Sequence, residues 1–185
     1  MKFLYLLTLF FFTSGLTMAQ SEEQPVKHYR GTVEIGYLYG NNKQGDIDNF
    51  VAAPSVKIFN GFRLHRLLAV GATTGFDFYN NLLITPFAVG IRGEVFDTRI
   101  SPIYSIDAGY GSALLSHESD NEKKKGGWMF NPALGFRVRS GHSTAYTFAA
   151  GYKTQKAETV YTWGGNESEQ KINFKRVSVQ LGFMF

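Results

Sequence analysis

The chain has 185 residues, room for one folded unit and rarely for two. Its 17 Phe and 10 Tyr stand beside 20 Gly, a pairing that favours closely approaching strands over helices. The net charge of +4 is modest and its basic residues are scattered, which argues against a nucleic-acid partner, and the lack of cysteine removes disulfides and thiolate metal sites.

Residues 1–19 read as a signal peptide: Lys2 gives a positive start, Phe3 to Phe12 a largely apolar run, and Thr17-Met18-Ala19 a small-x-small site before Gln20. The run is short for a permanent membrane helix, and no cysteine follows that could carry a lipid anchor. Residues 20–29 form a short polar segment on the periplasmic side. From Arg30 to Phe185 the pattern is apolar/polar alternation with no helical stripe, which predicts an all-β unit.

Eight strands are predicted: Arg30 to Gly40, Phe50 to Leu64, Leu67 to Phe78, Leu82 to Phe96, Ile100 to Ala113, Gly127 to Arg139, Ala145 to Gln155 and Lys171 to Phe185. The links alternate in length. His65-Arg66, Asp97 to Arg99 and Ser140 to Thr144 are short, whereas Asn41 to Asn49, Leu114 to Gly126 and Lys156 to Gln170 are long and polar. Tyr79 to Asn81 is the exception, a short link where a long one is due. Short turns on one side and long loops on the other are the habit of membrane barrels.

Side chains alternate across a strand, so each segment has two faces. Val177, Val179, Leu181, Phe183 and Phe185 share one face of the last strand, with Ser178, Gln180, Gly182 and Met184 on the other. Tyr146, Phe148, Ala150 and Tyr152 repeat this in the seventh, and Leu134, Phe136 and Val138 oppose Gly135, Arg137 and Arg139 in the sixth. The second strand is irregular, because Phe59 falls with Lys57 and Arg63 on the polar side. Glycines recur on the polar face, among them Gly36, Gly61, Gly71, Gly75, Gly90, Gly135 and Gly182, the composition of a narrow interior and not of a wetted surface. Lipid-facing rings outside and a packed polar lumen inside fit both faces.

That assignment puts Glu34, Lys57, Arg63, Asp77, Arg92, Glu94, Asp107, Arg137, Arg139 and Lys153 inside, where both signs can neutralise one another as an internal ladder of salt bridges. Two ring girdles are predicted: Tyr39, Phe76, Phe78, Tyr110, Trp128 and Tyr152 at the outer interface, and Phe62, Phe96, Phe136, Tyr146, Phe183 and Phe185 at the periplasmic one. Pro54, Pro86, Pro102 and Pro132 lack a ladder donor and are expected at strand starts, ends or bulges.

With the alternation, the leader and the terminal strand Val177-Ser-Val-Gln-Leu-Gly-Phe-Met-Phe185, the chain resembles the small eight-stranded outer-membrane β-barrels of Gram-negative bacteria, the OmpA and OmpX size class. Asn60 to Gly71, Thr85 to Arg92, Ser101 to Tyr110 and Asn131 to Arg137 resemble the Pro and Gly-aromatic punctuation of that family's barrel domains. The resemblance implies an eight-stranded antiparallel up-and-down transmembrane barrel, contact with outer-membrane lipids, and reading of the strand that ends at Phe185 by the barrel assembly machinery.

Chemistry is thin. His117-Glu118-Ser119 has a His-x-Ser spacing, but in a polar stretch with no orienting carboxylate on a rigid strand; His142-Ser143 and His65 lie in turns. No catalytic, cofactor or metal residue is assigned. Lys123-Lys124-Lys125 could attract lipopolysaccharide phosphates, although Glu118, Asp120 and Glu122 dilute the field, and Trp163-Gly164-Gly165-Asn166 reads as a loop tip. The expectation is a non-enzymatic outer-membrane protein with a structural, adhesive or surface-interaction role. The alternatives are a narrow pore, a lipid-modifying barrel enzyme and a soluble barrel with its apolar face turned inward.

Overall fold

Strand boundaries follow from where neighbouring chains offer partners. In a computed structural model, which describes residues 29–44, 47–79, 82–114, 122–141, 143–163 and 166–185, nine strands form one antiparallel sheet. They are β1 (Tyr29–Gln44), β2 (Ile47–His65), β3 (Leu68–Tyr79), β4 (Leu82–Glu94), β5 (Ile100–Ser112), β6 (Glu122–Lys125), β7 (Gly127–Arg139), β8 (Ala145–Trp163) and β9 (Asn166–Met184). Eight of them close into a barrel: β9 pairs with β8 on one side and with β1 on the other, from Thr32↔Met184 to Tyr39↔Val177. Gly31 and Phe185 complete the seam with two mutual backbone bonds of 2.9 and 3.0 Å. The extra strand, β6, continues the line of β7 along β8, where Lys125 lies opposite Glu158. The expected signal peptide at residues 1–19 and the segment 20–28 lie outside the described residues.

The eight predicted segments all form, but two links read as polar loops are largely strand and a third contains a short one. β1 and β2 pair out to Gln44↔Ile47, β8 and β9 out to Trp163↔Asn166, and β6 occupies part of the link 114–126. A strand needs about 9–11 residues to cross the bilayer, whereas β8 and β9 each have 19. The surplus stands in water beyond the apolar belt, where a hairpin keeps its ladder without apolar side chains. Polar composition there marks the end of the membrane, not of the strand.

Two prolines also depart from expectation. Pro102 is the third residue of β5, and Pro54 sits where the β2–β3 ladder stops at Ser55↔Asp77. Pro86 and Pro132, however, lie well inside β4 and β7. The ladders lapse beside them: β3–β4 passes from Thr74↔Phe87 to Asp77↔Ile84, and β7–β8 from Phe130↔Thr154 to Ala133↔Gly151. A missing N–H is tolerated mid-strand because pairing on the other edge of each strand continues unbroken.

The orientation is unambiguous. Ile35, Phe87, Val89, Leu134, Phe136, Phe148 and Leu181 point outward and are exposed, while Glu34, Lys57, Asp77, Arg92, Asp107 and Lys153 are buried within. An apolar outer wall around an ionic interior excludes the soluble inverted barrel and requires hydrocarbon as the surrounding solvent. Rings border the wall at both levels, with Tyr110 opposite Trp128 at one end and Tyr146 opposite Phe183 at the other. The end with the short turns is the periplasmic one.

Candidate functional site: the lumen

Every inward side chain competes for a narrow space, so the lumen is best followed from the periplasmic mouth outward. At the mouth, Glu94 of β4 is shared by three arginines. Arg63 and Arg137 each approach its Oε2 at 3.2 Å, and Arg30 binds its Oε1. Arg137 also donates to the carbonyl of Thr98 at 2.9 Å.

One layer further in, Asp107 of β5 gathers three strands. Its carboxylate accepts from Arg92 Nη1 at 2.7 Å and Nη2 at 3.1 Å, and from the Thr73 hydroxyl at 2.7 Å, while Lys57 Nζ stands 3.3 Å away. Lys57 in turn meets Glu34 at 3.0 Å. The irregular Phe59 is explained here: its buried ring lies 4.6 Å beneath the Arg92 guanidinium, a cation–π contact, and needs the bare backbone of Gly61 and Gly90. A Cβ on Gly61 would stand 2.7 Å from the ring, and one on Gly90 3.0 Å from it. Glycine on this face therefore makes room for one large side chain. Between the two ionic layers is a cavity of about 20 Å³, lined by Arg30, Thr32, Glu34, Arg92, Ser105 and Thr147 among others, room for a water molecule or two.

Above these layers Asp77 accepts from the Ser55 hydroxyl at 2.7 Å and binds Lys153. The outer third then turns apolar, with Leu38, Ala53, Tyr79, Leu82, Ile84, Ala113 and Ala157 clustered against Phe174. Phe174 stacks on Tyr79 with centroids 4.4 Å apart, and Arg176 caps both rings while donating to the carbonyls of Gly40 and Val51 at 2.8 and 3.1 Å. Charged layers below and an apolar stopper above leave little continuous path.

Eight of the ten charged residues assigned to the interior are buried there. Arg63 is half-buried at the mouth, and Arg139 is not in the lumen at all: it lies at the rim and binds the exposed Asp97 of the β4–β5 turn. That hydrogen bond and charge hold the Asp97 carboxyl below the usual aspartate range. Arg139 is the last residue of β7, so its parity points inward where the barrel has already opened. Arg30 and Arg176 are buried without having been assigned. The alternation contained them, since Arg30 shares a face with Thr32 and Glu34, and Arg176 with Ser178 and Gln180, but both sit beyond the apolar stretches used to set the faces.

The sequence's catalytic candidates gain nothing. His117, Ser119 and His142 lie outside the described residues. His65, expected in a turn, is the last residue of β2, exposed, and accepts the Leu67 N–H at 3.3 Å; Ser143 is exposed. Among the described residues no group of three or more His, Asp or Glu is placed to hold a metal. Lys123 and Lys125 are exposed on β6, with Lys125 3.5 Å from Glu158. Trp163 and Asn166 pair across the hairpin tip, whose glycines are outside the described residues.

No protein-family model matches the sequence, and no curated protein matches it. Solved structures do. The outer membrane protein OprG from Pseudomonas aeruginosa superposes with a TM-score of 0.62 at 10% identity, over 85% of this chain and 95% of that one. AlkL, an outer membrane protein solved in lipid bilayers, gives 0.55 at 14% identity over 90% and 93%. Neisserial surface protein A gives 0.54 at 10% identity over 84% and 94%. The shared fold is that of the small eight-stranded outer-membrane barrels, and with its apolar outer wall the chain is an integral β-barrel protein of the outer membrane.

Proposed function

We infer that this barrel is a non-catalytic, non-conducting anchor that holds surface-exposed strands and loops for contact with a partner at the cell surface. The observation that carries this reading is the filling of the lumen: Lys57 is 1% exposed and Asp107 0%, each already engaged, beneath an apolar stopper built on Tyr79, Ile84 and Phe174. A conducting barrel of this strand number would have to break buried ion pairs, each costing several kcal/mol. The outward hairpin of β8 and β9, edged by β6, is the part left free to meet another molecule. The terminal strand β9, which closes the barrel and presents Phe183 and Phe185 to lipid, suits recognition by the barrel assembly machinery.

The test is reconstitution of the purified chain in planar bilayers. No discrete conductance steps are expected. Reproducible steps whose ion selectivity changes with Lys57→Met would overturn the reading in favour of a pore. Catalysis is tested by incubation with outer-membrane phospholipid and lipopolysaccharide, where a released acyl chain, abolished by His117→Ala or Ser119→Ala, would make the protein a lipid-modifying enzyme.

A further inference from the structure

The eight arginines are distributed unevenly. Arg30, Arg63, Arg66, Arg99, Arg137 and Arg139 all lie at the periplasmic end, in or beside the short turns. The acids described there are Glu94 and Asp97, and both are occupied, by the three mouth arginines and by Arg139. Lysines gather at the other end, on β6, β8 and β9. Arg66 and Arg99 are exposed, and among the described residues neither guanidinium has a carboxylate partner.

Their backbones are held firmly. The N–H of Glu94 donates to the Arg66 carbonyl at 3.0 Å, Tyr104 donates to the carbonyl of Leu67, and the N–H of Arg139 donates to the Arg99 carbonyl at 2.8 Å. The β2–β3 turn, the β4–β5 turn and the end of β7 therefore form one continuous arc. Their chain neighbours Leu64, Leu67, Phe96 and Ile100 are exposed apolar residues of the lipid-facing wall. Guanidiniums at the edge of that wall stand at the depth of lipid headgroups, and arginine's planar fork matches a phosphate better than an ammonium does.

We propose that this arc is a binding site for the phosphates of anionic phospholipids in the periplasmic leaflet, with Arg66 and Arg99 as its principal contacts and Arg139 beside them. The site fixes the depth of the barrel and orders the lipid around its inner rim. A soluble anion would meet the lumen mouth, whereas Arg66 and Arg99 lie on turns bordered by lipid-facing side chains, which selects the membrane as the source.

The experiment uses the full-length chain purified in non-ionic detergent and native mass spectrometry to count bound dioleoyl phosphatidylglycerol against dioleoyl phosphatidylcholine. Preferential binding of the phosphatidylglycerol is expected. Arg66→Gln with Arg99→Gln should weaken it by about fivefold per arginine and leave phosphatidylcholine unaffected, while Arg66→Lys with Arg99→Lys should retain most of it. Heat-modifiable gel migration verifies that each variant is folded. Equal binding of the two lipids, an unchanged affinity in the double Gln variant, the same loss from Lys123→Gln with Lys125→Gln at the outer end, or displacement of the lipid by inorganic phosphate would each overturn the proposal.

Discussion

Replacing Asp107 by Asn keeps the shape of the side chain and removes the charge on which the middle layer converges. Arg92 loses its two-pronged carboxylate, with contacts of 2.7 and 3.1 Å, and Lys57 loses the second of its two carboxylates, 3.3 Å away. Removing one partner of a buried pair costs about 3–5 kcal/mol, because the other charge is left without compensation. Lys57 keeps Glu34 at 3.0 Å and Arg92 keeps the Phe59 ring at 4.6 Å, so the lower end, about 3 kcal/mol, is expected. That is more than a hundredfold in the folded-to-unfolded ratio. The assay is urea unfolding from phosphatidylcholine vesicles followed by tryptophan emission, with Asp97→Asn as the exposed control, expected to stay close to wild type because an exposed ion pair contributes little. Adding Arg92→Met to Asp107→Asn should recover part of the loss by removing the orphaned guanidinium. A folded Asp107→Asn barrel as stable as the Asp97→Asn control would refute a lumen held together by this ionic layer.

Three further outcomes follow from the same geometry. Gly90→Ala should destabilise by about 1–3 kcal/mol, measured in the same unfolding assay, since its Cβ would stand 2.6 Å from Thr73 Oγ1 and 2.8 Å from Asp107 Oδ1. Leu134→Arg, at a position 71% exposed in the middle of the apolar wall, should cost about 2–4 kcal/mol, whereas Leu134→Phe should be near neutral. The Asp97 carboxyl, held down by the Arg139 hydrogen bond and charge, should titrate below an ordinary aspartate by carbon NMR and move back up in Arg139→Gln. Its contribution to stability is present above the unfolded aspartate range and disappears as pH falls through the lowered folded value.

Much of the barrel was legible because membrane strands announce their faces: Val177 to Phe185 and Tyr146 to Tyr152 alternate without error, and a two-residue period is a direct statement about which side each residue meets. Phe59 broke the pattern because part of its space is supplied from another strand, by Gly90 of β4 beside its own strand's Gly61, and no local window contains Gly90. The outer ends of β8 and β9 were unreadable for the opposite reason, since water solvates both faces there and removes the period. Arg30 and Arg176 had the right parity but lie just beyond the ends of the apolar runs that fix it. The arginine arc was hidden in another way: Arg66, Arg99 and Arg139 are far apart in the chain and are brought together only by the bonds between adjacent turns.

The seam between β1 and β9 carries a consequence for biogenesis. Gly31 and Phe185 are bonded neighbours although nearly all of the barrel lies between them along the chain, so the circle cannot be joined until β9 is present beside β1. Until then β1 and β9 each carry a raw hydrogen-bonding margin. Contacts so remote along the chain form slowly, and the topology makes closure of the ring wait on them.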